Sequence, residues 1–130
     1  AQAVGSKAPL IAIEEPESHI HPRLQTKMAD LLLASALQNQ TRFLLETHSE
    51  HLILRLLRRV RETTEKKFED WPEELRKACP NGISPEDIAV LYVESGKDGA
   101  TIRELPLTGN GEFASPWPDG FFDERVRELF

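Results

Sequence analysis

The sequence has little cysteine and no long apolar segment. Its single cysteine, Cys79, excludes an internal disulfide, so the 130 residues do not form a disulfide-stapled secreted fold. The apolar runs are far shorter than the ~20 residues that a membrane-spanning helix needs. The first residues do not show the basic segment and apolar core of a secretory signal. These absences predict a globular, cytoplasmic protein without a membrane partner, and the length suits one domain.

The sequence also has no excess of positive charge. Its net charge is −6, and the excess acid lies in the second half: residues 1–65 carry 8 basic and 8 acidic side chains, and residues 66–130 carry 8 and 14. Because phosphate binding needs clustered cations, the second half is not expected to bind nucleic acid. The cations of the first half group at Arg55, Arg58, Arg59 and Arg61.

Apolar runs and turn residues follow one another in the order strand, helix, strand, helix, then two further strands. The predicted strands are 9–13, 42–46, 88–93 and 101–107, and the predicted helices are 22–38, one that Thr47 or Ser49 caps, 73–78 and 123–130. This order predicts an α/β fold, with a core of parallel strands and flanking helices, an appended β-hairpin and a C-terminal helix. The predicted units are 1–62, a polar connector or insertion over 63–87, and 88–130.

The second predicted helix has an apolar and a charged face. Helical spacing places one set of side chains inward and another outward. Solvated Arg–Glu pairs are the commoner explanation of such a charged face, and contact with DNA phosphates is the alternative. The inward set is Ile53, Leu56, Leu57 and Val60, and the outward set is Arg55, Arg58, Arg59 and Glu62.

Two polar clusters follow the first two strands, Glu14–Glu17 and Glu46–Ser49. In parallel α/β sheets, ligand chemistry gathers at the carboxyl ends of the strands. Adjacent carboxylates leave a strand on opposite sides, so one of Glu14 and Glu15 can hold Mg²⁺ while the other orients or deprotonates a water. His48 can donate to a γ-phosphate or to that water. A solvated strand end is the structural alternative.

The residues of these clusters resemble two motifs of one ATPase superfamily. Residues 10–22, Leu-Ile-Ala-Ile-Glu-Glu-Pro-Glu-Ser-His-Ile-His-Pro, resemble the Walker B segment and following loop of ABC-type ATPases of the RecF, SMC and OLD kind. The sequence Glu-Thr-His-Ser over 46–49 resembles the switch-histidine motif of the same superfamily. Residues 117–124 resemble a small C-terminal domain of unknown function that is attached to some of these ATPases.

The resemblance implies a P-loop NTPase fold and a set of roles. Glu14 would hold Mg²⁺, Glu15 would polarise the attacking water, and His48 would sense the γ-phosphate of ATP. Residues 18–22 would meet a second subunit in a homodimer that sandwiches the nucleotide. Heads of this kind act in DNA repair, chromosome handling and phage defence, which makes DNA or a nuclease a candidate partner.

A phosphate-binding loop is missing from the sequence. Such a loop requires Gly-x-x-x-x-Gly-Lys-Ser/Thr, and Gly96-Lys97 is followed by Asp98 instead of Ser or Thr. The chain therefore resembles the C-terminal part of an ATPase head. We expect it to bind and hydrolyse ATP only when it is combined with a Walker A half, and to be inactive alone.

Three alternatives remain open from the sequence. Histidine pairs at His-x-His and His-x-x-His spacing could bind zinc in a hydrolase. Residues 90–94 with Asp98 resemble the start of a Toprim metal nuclease, although 36 residues after Glu94 are too few for that fold. A non-enzymatic interaction module is the third, and Trp117, Phe121 and Phe122 could form its partner-binding patch or pin the chain end to its own core. The histidines are His19, His21, His48 and His51.

Overall fold

The computed structural model describes residues 8–116, which form helices and strands in the predicted succession. Two strands and two long helices alternate, and a short helix, a 3₁₀ turn and a hairpin follow. The C-terminal helix predicted over 123–130 lies outside the described residues, as does the aromatic cluster at 117–122. The elements are β1 (Leu10–Glu14), α1 (Pro22–Asn39), β2 (Arg42–Glu46), α2 (Glu50–Glu65), α3 (Glu73–Ala78), the 3₁₀ turn (Pro85–Asp87), β3 (Leu91–Gly96) and β4 (Gly99–Glu104).

Strands β1 and β2 form a parallel sheet, with α1 as the connection between them. Their register runs from Leu10 opposite Arg42 to Glu14 opposite Glu46, so both strands end at the same edge of the sheet. This confirms the predicted parallel α/β arrangement of the N-terminal part. One face of the sheet carries Leu10 and Leu44, which are 57% and 54% exposed.

Each of the two long helices begins after a residue whose side chain accepts a hydrogen bond from the first turn. His21 precedes α1 and accepts a hydrogen bond from the Arg23 N–H through Nδ1 at 3.2 Å, and Pro22 occupies the first helical position. Ser49 caps α2, because its hydroxyl accepts from the Leu52 N–H at 3.1 Å. The sequence left Thr47 and Ser49 as alternatives, and the structure assigns the cap to Ser49.

The apolar core lies between α1, α2 and the segment that follows α2. Residues 63–87 contribute four of its buried side chains, although their polar composition predicted a surface connector. These four stand four residues apart, between residues 71 and 83. The core cluster is Leu33, Ala34, Val60, Trp71, Leu75, Cys79 and Ile83.

The predicted outward face of α2 is wrong for two of its charged residues. Arg59 is 3% exposed and Glu62 is 9% exposed. The physical reason is Asp30, a buried carboxylate on α1 that binds the guanidinium of Arg59 and attracts it into the helix interface. The arginine surface that the DNA alternative requires is reduced accordingly, with Arg58 and Arg61 left exposed on this helix.

Strands β3 and β4 form the predicted hairpin as a separate two-stranded antiparallel sheet. β3 begins three residues later than the pattern predicted and continues to Gly96, so the turn shortens to Lys97 and Asp98. Gly99, with a φ of 113°, lies in a region that suits glycine and begins the return strand. Among the described residues, none of the helices has the length and apolar character needed to cross a membrane.

Candidate functional site

The site is built at the edge of the parallel sheet where β1 and β2 both end. Glu14 and Glu46 are the last residues of the two strands and lie opposite each other in register. Side chains that share a register position project from the same face of the sheet, so these two carboxylates are neighbours. The Glu15 N–H donates to the Glu46 carbonyl oxygen at 2.7 Å, which extends the pairing one residue past β1.

Glu15 turns the chain away from the sheet and towards the segment after β2. Its φ is 48°, a left-handed conformation that a residue with a Cβ adopts at a cost. The Oε1 atom of Glu15 lies 3.7 Å from Nε2 of His48. The two side chains are 50% and 81% exposed, so a ligand can reach both. The structure therefore brings two of the three predicted site residues together, from two different strand ends.

The donor set at this edge fits Mg²⁺ better than a metal that is held by protein alone. The edge offers the Glu14 carboxylate with Glu46 as its neighbour, and Mg²⁺ prefers one or two carboxylates together with phosphate and water oxygens. Within residues 8–116, there is no group of three or more histidine, cysteine, aspartate or glutamate side chains that could hold a metal ion. A nucleotide would have to supply the remaining ligands.

The four histidines do not form a zinc site. They lie within the described residues, where the required group of three ligating side chains is not found. His21 is engaged as the helix cap of α1, while His19 has a left-handed φ of 62° and His51 belongs to the first turn of α2. The described residues therefore give the zinc alternative no support.

The region proposed for a nuclease module has a different arrangement. The Glu94 carboxylate on β3 accepts a hydrogen bond from Nη2 of Arg103 on β4 at 2.5 Å. Asp98 lies in the hairpin turn, and the metal-ligating groups of this part of the chain do not assemble into a cluster of three. The hairpin therefore gives the nuclease alternative no support.

Sequence reasoning assigned no role to three residues at the site. Glu46 joins Glu14 at the sheet edge, whereas the predicted strands 9–13 and 42–46 would have placed Ile13 opposite it. Glu17 and Thr47 bind each other across the two loops, with Thr47 Oγ1 donating to the carboxylate at 2.5 Å. No pattern in the sequence predicts this pair, because Glu17 and Thr47 are 30 residues apart and lie in loops.

Two family models match separate parts of the chain. Residues 2–53, which include both strand ends, match the family model of the AAA ATPase domain. Residues 83–130 match the model of a protein family of unknown function, DUF3696. No curated protein and no solved structure matches the chain. The N-terminal part of this chain is thus similar to an AAA ATPase domain, which indicates nucleotide binding and an ATPase-type function.

Proposed function

We propose that this chain supplies the Walker B and switch residues of a Mg²⁺-dependent ATPase of the RecF, SMC and OLD kind. The observation that carries the proposal is the 3.7 Å approach of Glu15 to His48 at the edge where the two parallel strands end. Ligands of parallel α/β sheets bind at this edge. The similarity of residues 2–53 to an AAA ATPase domain gives independent support.

Each of the three acidic or basic side chains has a separate task in this proposal. Glu14 holds Mg²⁺, which when bound neutralises charge on the phosphate oxygens. Glu15 orients a water for in-line attack on the γ-phosphate and accepts its proton. His48 donates a hydrogen bond to a γ-phosphate oxygen from the other side of the same edge. Because the side chains of Glu15 and His48 are exposed, a nucleotide can approach both of them from solvent.

The exposed face of the sheet supports a further part of the proposal, which is completion by a phosphate-loop segment. Parallel sheets are covered on both faces in α/β proteins, and their strands are accordingly apolar on both faces. Leu10 and Leu44 fit that pattern but are more than half exposed. We propose that the segment carrying the Walker A loop covers this face and brings the phosphates to Glu15. ATP then closes two such heads into a dimer through residues 18–22.

The test is ATP turnover by a protein in which this chain is joined to its Walker A half. Glu15→Gln keeps the size of the side chain and removes the base, so we expect turnover to fall by ~10²-fold or more. ATP binding should persist, and light scattering should detect an ATP-dependent dimer that the variant retains longer than the wild type.

Glu74→Gln is the matched control, because Glu74 is an exposed carboxylate on α3 and is remote in sequence from both strand ends. It should turn over ATP at the wild-type rate. Undiminished turnover in Glu15→Gln would remove the assigned role of Glu15. Absence of Mg²⁺-ATP binding by the wild type would favour an interaction module over an enzyme.

A further inference from the structure

The loops that follow β1 and β2 are joined by one hydroxyl. Thr47 Oγ1 donates to the Glu17 carboxylate, at 2.5 Å from Oε1 and 2.9 Å from Oε2. The same oxygen accepts from the Ser49 N–H at 2.9 Å. A hydrogen bond to an ionised carboxylate is roughly twice as strong as one between neutral groups. The hydroxyl therefore ties the loop of Glu15 to the segment that holds His48.

A second connection runs parallel to the first and reaches α1. Ser49 Oγ donates to Gln25 Oε1 at 2.6 Å, and Gln25 Nε2 donates to the Ile20 carbonyl oxygen at 3.0 Å. Ser49 Oγ also accepts from the Leu52 N–H as the cap of α2. The four side chains Glu17, Gln25, Thr47 and Ser49, hereafter the brace, thus join the loop over residues 15–21 to the starts of both long helices.

The brace flanks both site residues along the chain. His48 stands between Thr47 and Ser49, which make the two connections, and Glu15 stands two residues before Glu17. The side chains of Glu15 and His48 are half exposed and mostly exposed, so packing does not hold them. We propose that Glu17, Gln25 and Thr47 are positioning residues, which keep Glu15 and His48 at the distance that water activation needs. This inference rests on the proposed function of that pair.

Loss of a single bond of the brace should lower the rate and leave nucleotide binding almost intact. A misplacement of ~1 Å at a catalytic group can reduce a rate by ~10²-fold. We expect Thr47→Val to lower kcat for ATP by ~10-fold to ~10²-fold, with the Kd of ATP changed by less than ~3-fold. Thr47→Ser retains the hydroxyl and should restore most of kcat. Thr26→Val is the control, because the Thr26 hydroxyl donates within α1, to the Arg23 carbonyl oxygen.

Glu17→Met tests the same bond from its other end and keeps the size of the side chain. Its loss of kcat should not exceed that of Thr47→Val, which also breaks the bond from the Ser49 N–H. The double variant should lose no more than Thr47→Val alone, because the contact with Glu17 is already absent there. Additive losses would overturn the brace. If Thr47→Val fails to fold, Glu17→Met and Gln25→Met carry the test.

A readout that does not involve ATP separates this inference from the proposed function. The Ser49 N–H donates to Thr47 Oγ1, so its exchange with solvent should accelerate by ~10-fold or more in nucleotide-free Thr47→Val and stay slow in Thr26→Val. Faster exchange with lost kcat supports positioning. Unchanged exchange, or wild-type kcat in Thr47→Val while Glu15→Gln is inactive, overturns the brace and leaves the ATPase standing. Full activity in Glu15→Gln overturns the proposed function, whatever the exchange shows.

Discussion

The guanidinium of Arg59 and the carboxylate of Asp30 form a two-pronged ion pair between α2 and α1. Nε of Arg59 lies 2.9 Å from Oδ1, and Nη2 lies 2.9 Å from Oδ2. Asp30 also accepts from Nη1 of Arg55 at 2.8 Å, while Arg59 donates to Glu62 at 2.9 Å. Burial alone would lower the pKa of Arg59, but the hydrogen bonds and charges of Asp30 and Glu62 outweigh it and raise that pKa. The guanidinium of Arg59 therefore stays charged although it is buried.

Removing the carboxylate from this pair should strongly destabilise the chain. Asp30→Asn leaves Arg55 and Arg59 without their shared counter-charge in a buried place, which typically costs about 3–5 kcal/mol in the free energy of unfolding. Urea denaturation followed by circular dichroism measures this loss. Lys77→Ala is the control, since its ion pair with Glu73 is 3.2 Å long and exposed, and its loss should be at most about 0.5 kcal/mol. Equal losses in both variants would contradict the buried network.

Gly111 should tolerate no side chain. Its φ is 70°, and an added Cβ would overlap the carbonyl oxygen of Leu57 on α2. We expect Gly111→Ala to lower the free energy of unfolding by about 3 kcal/mol, because a backbone carbonyl cannot move aside cheaply. Gly99→Ala separates the clash from backbone strain: its φ is 113° and nothing lies within 4 Å of the added Cβ, so about 1 kcal/mol is expected. Equal urea midpoints for Gly111→Ala and Gly99→Ala would show that the loop at Gly111 does not pack against α2.

Cys79 should make stability depend on pH in the alkaline range. Burial, with a smaller contribution from the charge of Asp87, raises the pKa of the Cys79 thiol. The unfolded chain then releases this proton at a lower pH than the folded chain does. The stabilisation is full below the unfolded pKa of about 8.5 and declines as the pH rises above it. The stability difference between wild type and Cys79→Ala should therefore shrink from about pH 7 to about pH 10.

Other groups that titrate in this range, such as lysines, cancel in that difference. A thiol-reactive alkylating reagent gives a second readout, because Cys79 is 4% exposed. Its modification should be at least ~10-fold slower in the native chain than in urea. A difference in stability that stays constant with pH, or equal alkylation rates, would disprove the raised pKa.

Glu14 should determine how much Mg²⁺ the proposed ATPase needs. Glu14→Gln removes one carboxylate charge from the proposed metal site, so the Mg²⁺ concentration that gives half-maximal turnover should rise by about 10-fold or more. Glu46→Gln is the natural comparison, because Glu46 is the register neighbour of Glu14 and bonds Glu15 through its backbone carbonyl. We expect Glu46→Gln to have a smaller effect than Glu14→Gln, because the bond of Glu46 to Glu15 is made by its backbone carbonyl. A wild-type Mg²⁺ dependence in Glu14→Gln would place the ion elsewhere.

The elements that position the site could be predicted from local sequence. Pro22 marked the start of α1, and the apolar run before Glu46 gave the bounds of β2 without error. Parallel pairing followed from the order of elements, and it placed Glu15 and His48 at one edge of the sheet. Local signals succeed here because caps, prolines and apolar runs act over a few residues.

The interior of the molecule was less accessible to such reasoning. Arg59 and Glu62 have the spacing of a solvated helix face, and only the presence of Asp30 on another helix makes their burial favourable. Residues 63–87 are polar on average, and their buried side was visible only as a four-residue spacing that begins at Trp71. The hydrogen bond of Glu17 to Thr47 depends on how two loops meet, which no local pattern encodes.

The seating of Gly111 against Leu57 has a mechanical consequence. Helix α2 begins beside His48 and has 16 residues, so it is roughly 24 Å long. Its other end carries Thr64, whose hydroxyl donates to the Gly109 carbonyl oxygen. The loop over residues 109–111 thus contacts both the middle and the end of α2, and buried charges join α2 to α1. A displacement of α2 at its His48 end has to move this loop as well. In the proposed ATPase, a movement of α2 at the nucleotide therefore reaches the loop over residues 109–111.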